Sequence, residues 1–397
     1  MTIEIQNYEE LLVSTKPLLD VRSEIEAARG SLPDSVLMPI LTTEERAEVG
    51  VCYKRSGQDA AIQLGQRLVA GSVHEERVQR WATSIRTNGI AAVFCWRGGL
   101  RSKTAQQWLD EQGYQLPRVV GGYKALRGYL LDEVPALLQS APWIAISGQT
   151  GCGKTELLHK LQQDVPILDL EGHAKHRGSA FGAVLGPQPA QATFENEVLV
   201  QLLRARRAGV PFLAVESESR LIGRCALPPY LLKQLLSAPV AVLEAPLEER
   251  IERIVRDYVI DNPLRRNGAE PSHEPSLQGQ HDILENYLVT ALAKIRKRLG
   301  GAAHQEIDTL IRRACDEERR TGSTVRHADW VARLLADYYD PLYRFYSEQK
   351  THLVVLRGDR GTVSEYLRER AQQRPWDGSI LYGQPTPTDS ERLAAEG

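Results

Sequence analysis

One octapeptide constrains this chain more than any other feature. Gly148-Gln-Thr-Gly-Cys-Gly153-Lys154-Thr155 matches the pattern G-x-x-x-x-G-K-[ST], with the apolar run Trp143–Ser147 before it and a helical pattern over Thr155–Gln163 after it. In a chain of 397 residues with ordinary glycine usage, a chance match has a probability on the order of one percent. Gly148, Gly151 and Gly153 let successive backbone N–H groups turn inward around an anion, and the helix N-terminus adds positive partial charge. Lys154 is placed to neutralise outer phosphate oxygens, and Thr155 to hold Mg²⁺ through its hydroxyl. The segment therefore predicts an α/β unit that grips a diphosphate, whatever organic group that diphosphate carries.

A metal site beside such a loop needs a carboxylate on a neighbouring strand. Asp169 and Glu171 stand at the end of the strand-like segment Pro166–Leu170, and Glu216 and Glu218 follow Phe212–Val215; Glu216 is the first choice by position. The nine histidines show no convincing ligand spacing, His173 and His176 being only an i,i+3 pair near Asp169, so no resident metal beyond Mg²⁺ at the loop is expected.

A second loop of similar shape is Cys95-Trp96-Arg97-Gly98-Gly99-Leu100-Arg101-Ser102, between the apolar run Gly89–Cys95 and the helical segment Ser102–Gln112, for which Ser102 is the expected N-cap. A thiol at a strand end, ringed by backbone amides and backed by a helix N-terminus, ionises readily. Arg97 and Arg101 would add charge and bind a tetrahedral oxyanion. Cys152, inside the first loop, is expected to be structural, and Cys52, Cys225 and Cys315 to be core or incidental.

The five cysteines are scattered and contain no Cys-x-x-Cys pair, which disfavours a disulfide framework or a zinc ribbon and fits a reduced, cytoplasmic setting. Lys+Arg number 49 against 51 Asp+Glu, a net charge of -2, so no global basic field announces nucleic acid, although a local groove is compatible with it. Apolar runs such as Ile90–Cys95 fall far short of the roughly 20 residues of a membrane span, and the acidic N-terminus lacks a signal pattern.

Alternation of strand-like and helix-like segments predicts an α/β fold of parallel sheets. Residues 1–138 form one unit around Cys95; a boundary falls at Gln139–Pro142; residues 139–260 form the phosphate-loop unit, closing with the amphipathic helix Pro246–Tyr258. Residues 261–383 are a loop (Asp261–Gln280), then helices, with a returning strand near 352–356; residues 384–397 are a loose tail. In the helical region nine cations, among them Lys294, Lys297, Arg298, Arg312, Arg313, Arg319 and Arg320, are nearly balanced by eight carboxylates, so RNA binding there depends on helical phase. Tyr338, Tyr339, Tyr343 and Tyr346 are either core or base-stacking residues.

With these residues in view, the N-terminal part resembles a rhodanese domain: LLDVR (Leu18–Arg22), the Cys95 loop, and GGYKALR (Gly121–Arg127). A rhodanese domain fused to a P-loop domain is similar to the bacterial tRNA 2-selenouridine synthases, and the segments CWRGGLRS, GQTGCGKTELL, DLEGHAKHRGSAFG (Asp169–Gly182), FEN (Phe194–Asn196) and ESESRLIG (Glu216–Gly223) match that family from about Pro17 to beyond residue 350. The resemblance implies replacement of sulfur by selenium in wobble 2-thiouridine of tRNA, with geranyl diphosphate alkylating the sulfur and selenophosphate supplying selenium. On that chemistry, Gly148, Gly151, Gly153, Lys154 and Thr155 are expected to hold the diphosphate. Cys95 is then expected to accept selenium while Arg97, Arg101 and the loop Trp96, Gly98, Gly99, Leu100 and Ser102 surround the departing phosphate. A cytoplasmic monomer is expected. The Cys-x5-Arg spacing equals that of cysteine-dependent phosphatases, which keeps that reading open beside a P-loop kinase or NTPase fused to a rhodanese module and a non-enzymatic carrier.

Overall fold

The computed structural model describes residues 3–135, 142–182, 186–262, 277–349 and 351–373. The expected boundary at Gln139–Pro142, apart from Pro142, lies outside them, as do residues 263–276 of the expected loop and the expected tail.

Two five-stranded parallel sheets organise the chain. The first has the order β1-β5-β4-β2-β3 and contains β1 (Glu4–Ile5), β2 (Leu18–Asp20), β3 (Ser35–Leu37), β4 (Ala92–Phe94) and β5 (Arg118–Val119). Its central strands β2 and β4 pair in register, Leu19 against Val93, and every residue of both is buried. That is why they read as unbroken apolar runs rather than alternating ones. The second sheet has the order β12-β11-β6-β8-β7. It contains β6 (Trp143–Ser147), β7 (Ile167–Leu168), β8 (Leu213–Glu216), β11 (Val240–Leu243) and β12 (Val354–Gly358), with a two-stranded antiparallel ribbon, β9 (Leu221–Ile222) and β10 (Cys225–Ala226), outside it.

The long helix Thr43–Leu68 starts well before the segment at Ala60 where apolar periodicity begins. Its first half is polar and carries no periodic signal. It is set by a capping box, Thr42 with Glu45, and bends at Gly57, whose φ of +84° breaks the helical path. The helix after the Cys95 loop begins at Leu100 with Gly99 at its N-cap, not at Ser102, whose hydroxyl is turned to Cys95 and to the Gly99 carbonyl.

Helices Leu277–Leu299, Gly301–Thr321 and His327–Leu334 enclose their own core, in which Leu284, Leu288, Ile307, Ile311 and Trp330 meet Ile254 and Val259 from beyond β11. The largest core belongs to neither sheet alone. It joins Leu11, Phe94, Tyr123, Leu126 and Leu130 of the first to Trp143, Phe194, Val198, Leu202 and Val215 of the second. Polar fasteners follow the same seam. On the helix Gln191–Arg207, Asn196 donates to the Ser31 carbonyl (2.7 Å) and the Tyr123 hydroxyl (3.1 Å), while Arg127 donates to Asn196 (2.6 Å) and Glu195 (2.5 Å).

Candidate active site

The phosphate loop leaves β6 and enters the helix Lys154–Leu161. Gly151 and Gly153 have φ of +83° and +87°, and a Cβ on Gly148 would collide with the Leu243 carbonyl of β11, so the loop can lie this close to the sheet only with glycine there. Two arginines of the helix Leu247–Val255 brace the loop from the other side. Arg250, paired with Asp340 at 2.5 Å, donates to the Thr150 carbonyl (2.9 Å), and Arg253 donates to the Gly151 carbonyl (2.6 Å). Neither was singled out from sequence, although the apolar stripe of their helix already indicated one face turned inward.

Parallel pairing of β6 with β8 sets Ile146 opposite Glu216 and so delivers Glu216 to the loop. Thr155 Oγ1 donates to Glu216 at 2.8 Å and lies 3.4 Å from Glu171, and Lys154 Nζ is 3.8 Å from Glu216 and donates to the Gly148 carbonyl at 2.9 Å. Glu171, Glu216 and Glu218 each bring a carboxylate oxygen to within 4.8 Å of the others. Burial first, then the charge of Glu216, pushes Glu171 up to about 7. Glu218 is likewise raised well above the carboxylate range by burial and by Glu171 and Glu216. Burial works against the Lys154 charge, but Cys152 and the three carboxylates outweigh it and raise its pKa. Oxygen donors crowded in this way, with a hydroxyl beside them, suit a hard divalent cation. Asp169 is not in the group: it caps the helix Leu170–Ala174 by accepting from Gly172 N at 2.8 Å and contacts His159 at 3.1 Å. His173 and His176 do not form a ligand pair, because both ring nitrogens of His173 are engaged by Glu197 (3.2 Å) and Gln201 (2.6 Å).

Above the loop opens a cleft of 1660 Å³, lined by Tyr258, Tyr338, Tyr339 and Tyr343 and by cations from several elements, including Lys294, Lys297 and Arg298. Three of the four C-terminal tyrosines singled out from sequence thus border the site; the side chain of Tyr346 lies outside the described residues.

The second loop is built around a buried arginine. Arg22 is fully buried, paired with Asp20 at 2.6 Å, and lies 4.0 Å over the Tyr123 ring, which in turn stacks on Trp96 at 5.3 Å. A Cβ on Gly122 would collide with the Cys95 carbonyl, and one on Gly98 would lie 2.6 Å from the Val119 carbonyl. LLDVR and GGYKALR are therefore the floor and wall that hold Cys95 at the end of β4. Cys95 Sγ lies 3.2 Å from Ser102 Oγ, Arg97, Gly99 and Leu100 are exposed, and Trp96 is at the surface. Arg101 is committed to a carboxylate that the sequence did not announce: its guanidinium grips Glu26 at 2.5 and 2.9 Å. Burial would raise the Glu26 pKa, but Arg101 and the Ser23 cap outweigh it and hold it at about 2.

Residues 141–374 match the family model described as the tRNA 2-selenouridine synthase AAA domain. A tRNA 2-selenouridine synthase of Pseudomonas fluorescens (strain Pf0-1) is 42% identical over 375 residues, 94% of this chain and 100% of that one. The chain belongs to the tRNA 2-selenouridine synthase family. Relatives with the same name in Azotobacter vinelandii (strain DJ) and Aeromonas salmonicida (strain A449) are 43% and 42% identical, covering 94% and 90% of this chain and 98% and 94% of theirs. For a family member, the two loops are the natural places to look for chemistry, since each ends a buried parallel strand at a helix N-terminus. Among the described residues no helix is long and apolar enough to cross a membrane.

Proposed function

We propose that this chain replaces sulfur by selenium in the wobble 2-thiouridine of tRNA, the P-loop cleft and the Cys95 loop dividing the work. The near-full-length likeness to proteins named tRNA 2-selenouridine synthase carries this reading and favours it over a kinase, a phosphatase or a carrier. The parallel sheet ending in Cys95 supports a rhodanese-like module over residues 1–138, with the P-loop unit over 139–260.

Alkylation comes first. The thiocarbonyl sulfur attacks C1 of geranyl diphosphate, the C1–O bond breaks, and diphosphate leaves with the electron pair. Lys154 and the amides of Gly151 and Gly153 stabilise that departing charge. Thr155, Glu216 and Glu171 fit Mg²⁺, which when bound would neutralise diphosphate oxygens.

Selenium in selenophosphate is already at the selenide level, so loading it on Cys95 as a perselenide would require an oxidant. The balanced role for Cys95 is attack on phosphorus: the S–P bond forms, the P–Se bond breaks, and selenide leaves with the electron pair. Selenide adds at C2 of the S-geranyl base, the C2–S bond breaks, and geranylthiolate departs; water then hydrolyses the cysteinyl phosphate. Ser102, 3.2 Å from the sulfur, would donate to the thiolate as it forms and leaves, and Arg97 with the Gly98–Gly99 amides would hold phosphoryl oxygens.

The test is to incubate the protein with 2-thiouridine-containing tRNA, geranyl diphosphate and selenophosphate, omitting each donor in turn, and to identify the nucleosides by mass spectrometry. Selenouridine from the wild type, S-geranyl-2-thiouridine accumulating in Cys95→Ser, and neither product in Lys154→Ala are expected. An unchanged nucleoside with wild-type protein that binds the tRNA would sink the proposal.

A further inference from the structure

Several arginines of the C-terminal helical region are held by carboxylates. Arg312 pairs with Glu285 and Asp308 at 3.0 and 2.9 Å, Arg319 with Asp316 at 2.7 Å, and Arg320 with Glu317 at 2.9 Å. These are the solvated, salt-bridged face that a near-balance of charge suggests. Around the cleft, Arg253 and Lys160 are held by Glu156 at 3.2 and 2.9 Å. Lys175, Lys294, Lys297 and Arg298 are different: all four are exposed, all line the cleft, and no carboxylate lies within ion-pair distance of them among the described residues.

Lys294, Lys297 and Arg298 stand at i, i+3 and i+4, on one face of the helix Leu277–Leu299. A helix C-terminus favours cations in its last turn, but that preference does not choose a face, and Lys294 lies before that turn. Lys175 adds a cation from the β7–β8 connection. Burial and then the Lys294 ammonium hold His176 below its usual range, which sets this helix against the 175–177 segment.

We infer that Lys175, Lys294, Lys297 and Arg298 form the track that holds the phosphates of the tRNA strand entering the P-loop cleft, an inference that rests on tRNA being the substrate. Unpaired cations on one rim are complementary to a polyanion, whereas paired arginines on the outer face have already spent their charge on carboxylates. Tyr338 and Tyr343 line the same cleft, where aromatic side chains suit an unstacked base.

The test is binding of wobble-2-thiouridine tRNA by fluorescence anisotropy across a salt series, using the full chain. The triple variant Lys294→Ala/Lys297→Ala/Arg298→Ala should bind about tenfold more weakly or worse, with the slope of log K against log salt reduced by about 2. Arg312→Ala/Arg320→Ala, both paired with carboxylates and outside the cleft, should bind as wild type, and circular dichroism melts should coincide for all three proteins. Equal affinity and slope in the cleft variant, or an equal loss in the outer variant, overturns the track while leaving tRNA as substrate. No binding by the wild type overturns the underlying reading.

Discussion

Glu171→Gln should make the protein more stable, and only at high pH. Glu171 titrates near 7 in the fold against an ordinary value of 4.5, so the folded state binds its proton more tightly than the unfolded state does. Between those two values the native state carries more protons, and stability must fall as pH rises. Below pH 4.5 both states are protonated and the cost is nil; above 7 it is complete. A rise from 4.5 to about 7, at 1.36 kcal/mol per pH unit, corresponds to ~3 kcal/mol. Glutamine keeps the shape while removing the charge from beside Glu216 and Glu218. In chelator, the thermal midpoint of Glu171→Gln should match wild type at pH 4.5 and exceed it by roughly 4 °C at pH 8. Mg²⁺ should raise the wild-type midpoint at pH 8 and raise the variant's less. A variant that melts below wild type at pH 8, or a gap independent of pH, would refute the argument that like-charge crowding dominates this cluster.

Other perturbations address the second loop and the seam. Gly122→Ala must place a Cβ onto the Cys95 carbonyl at φ +58°; the left-handed conformation alone costs ~1–2 kcal/mol, and alkylation of Cys95 by iodoacetamide should change rate as its strand end is displaced. Glu26→Gln removes the partner that Arg101 holds. Because Glu26 sits at about 2 in the fold, wild type should lose stability as pH falls from 4.5 through 2, and acid titration followed by circular dichroism should show a flatter limb in the variant. Asn196→Ala strips partners from Ser31 O, Tyr123 and Arg127. It should cost ~2–3 kcal/mol for the buried groups left unpaired, read as a lower midpoint with both sheets melting together.

The phosphate loop and the strands β6, β8 and β11 were legible because their cause is local: continuous apolar runs and a glycine pattern that works over eight residues. Choosing among the carboxylates was harder. Asp169 stands directly after β7, but backbone geometry turns it to cap the next helix, and that short helix then carries Glu171 to the loop. Glu218 reaches the cluster by continuing beyond β8. The Glu26–Arg101 pair spans 75 residues, and nothing near Glu26 distinguishes it from the acid of an ordinary capping box. Which cations line the cleft was likewise hidden, because it depends on which face of Leu277–Leu299 meets it.

The shared core across the seam changes what this chain is as a material. A fusion of two self-sufficient modules can be cut at its linker and each half kept. Here the cut would expose the apolar faces of Tyr123, Leu126 and Leu130 on one fragment and of Phe194, Val198 and Leu202 on the other, and would strand Arg127 and Asn196 without each other. The halves therefore behave as complementary parts of one folding unit. The same helix, Gln191–Arg207, bonds Tyr123 through Asn196 and His173 through Glu197, so the Cys95 loop and the carboxylates ride on a common beam.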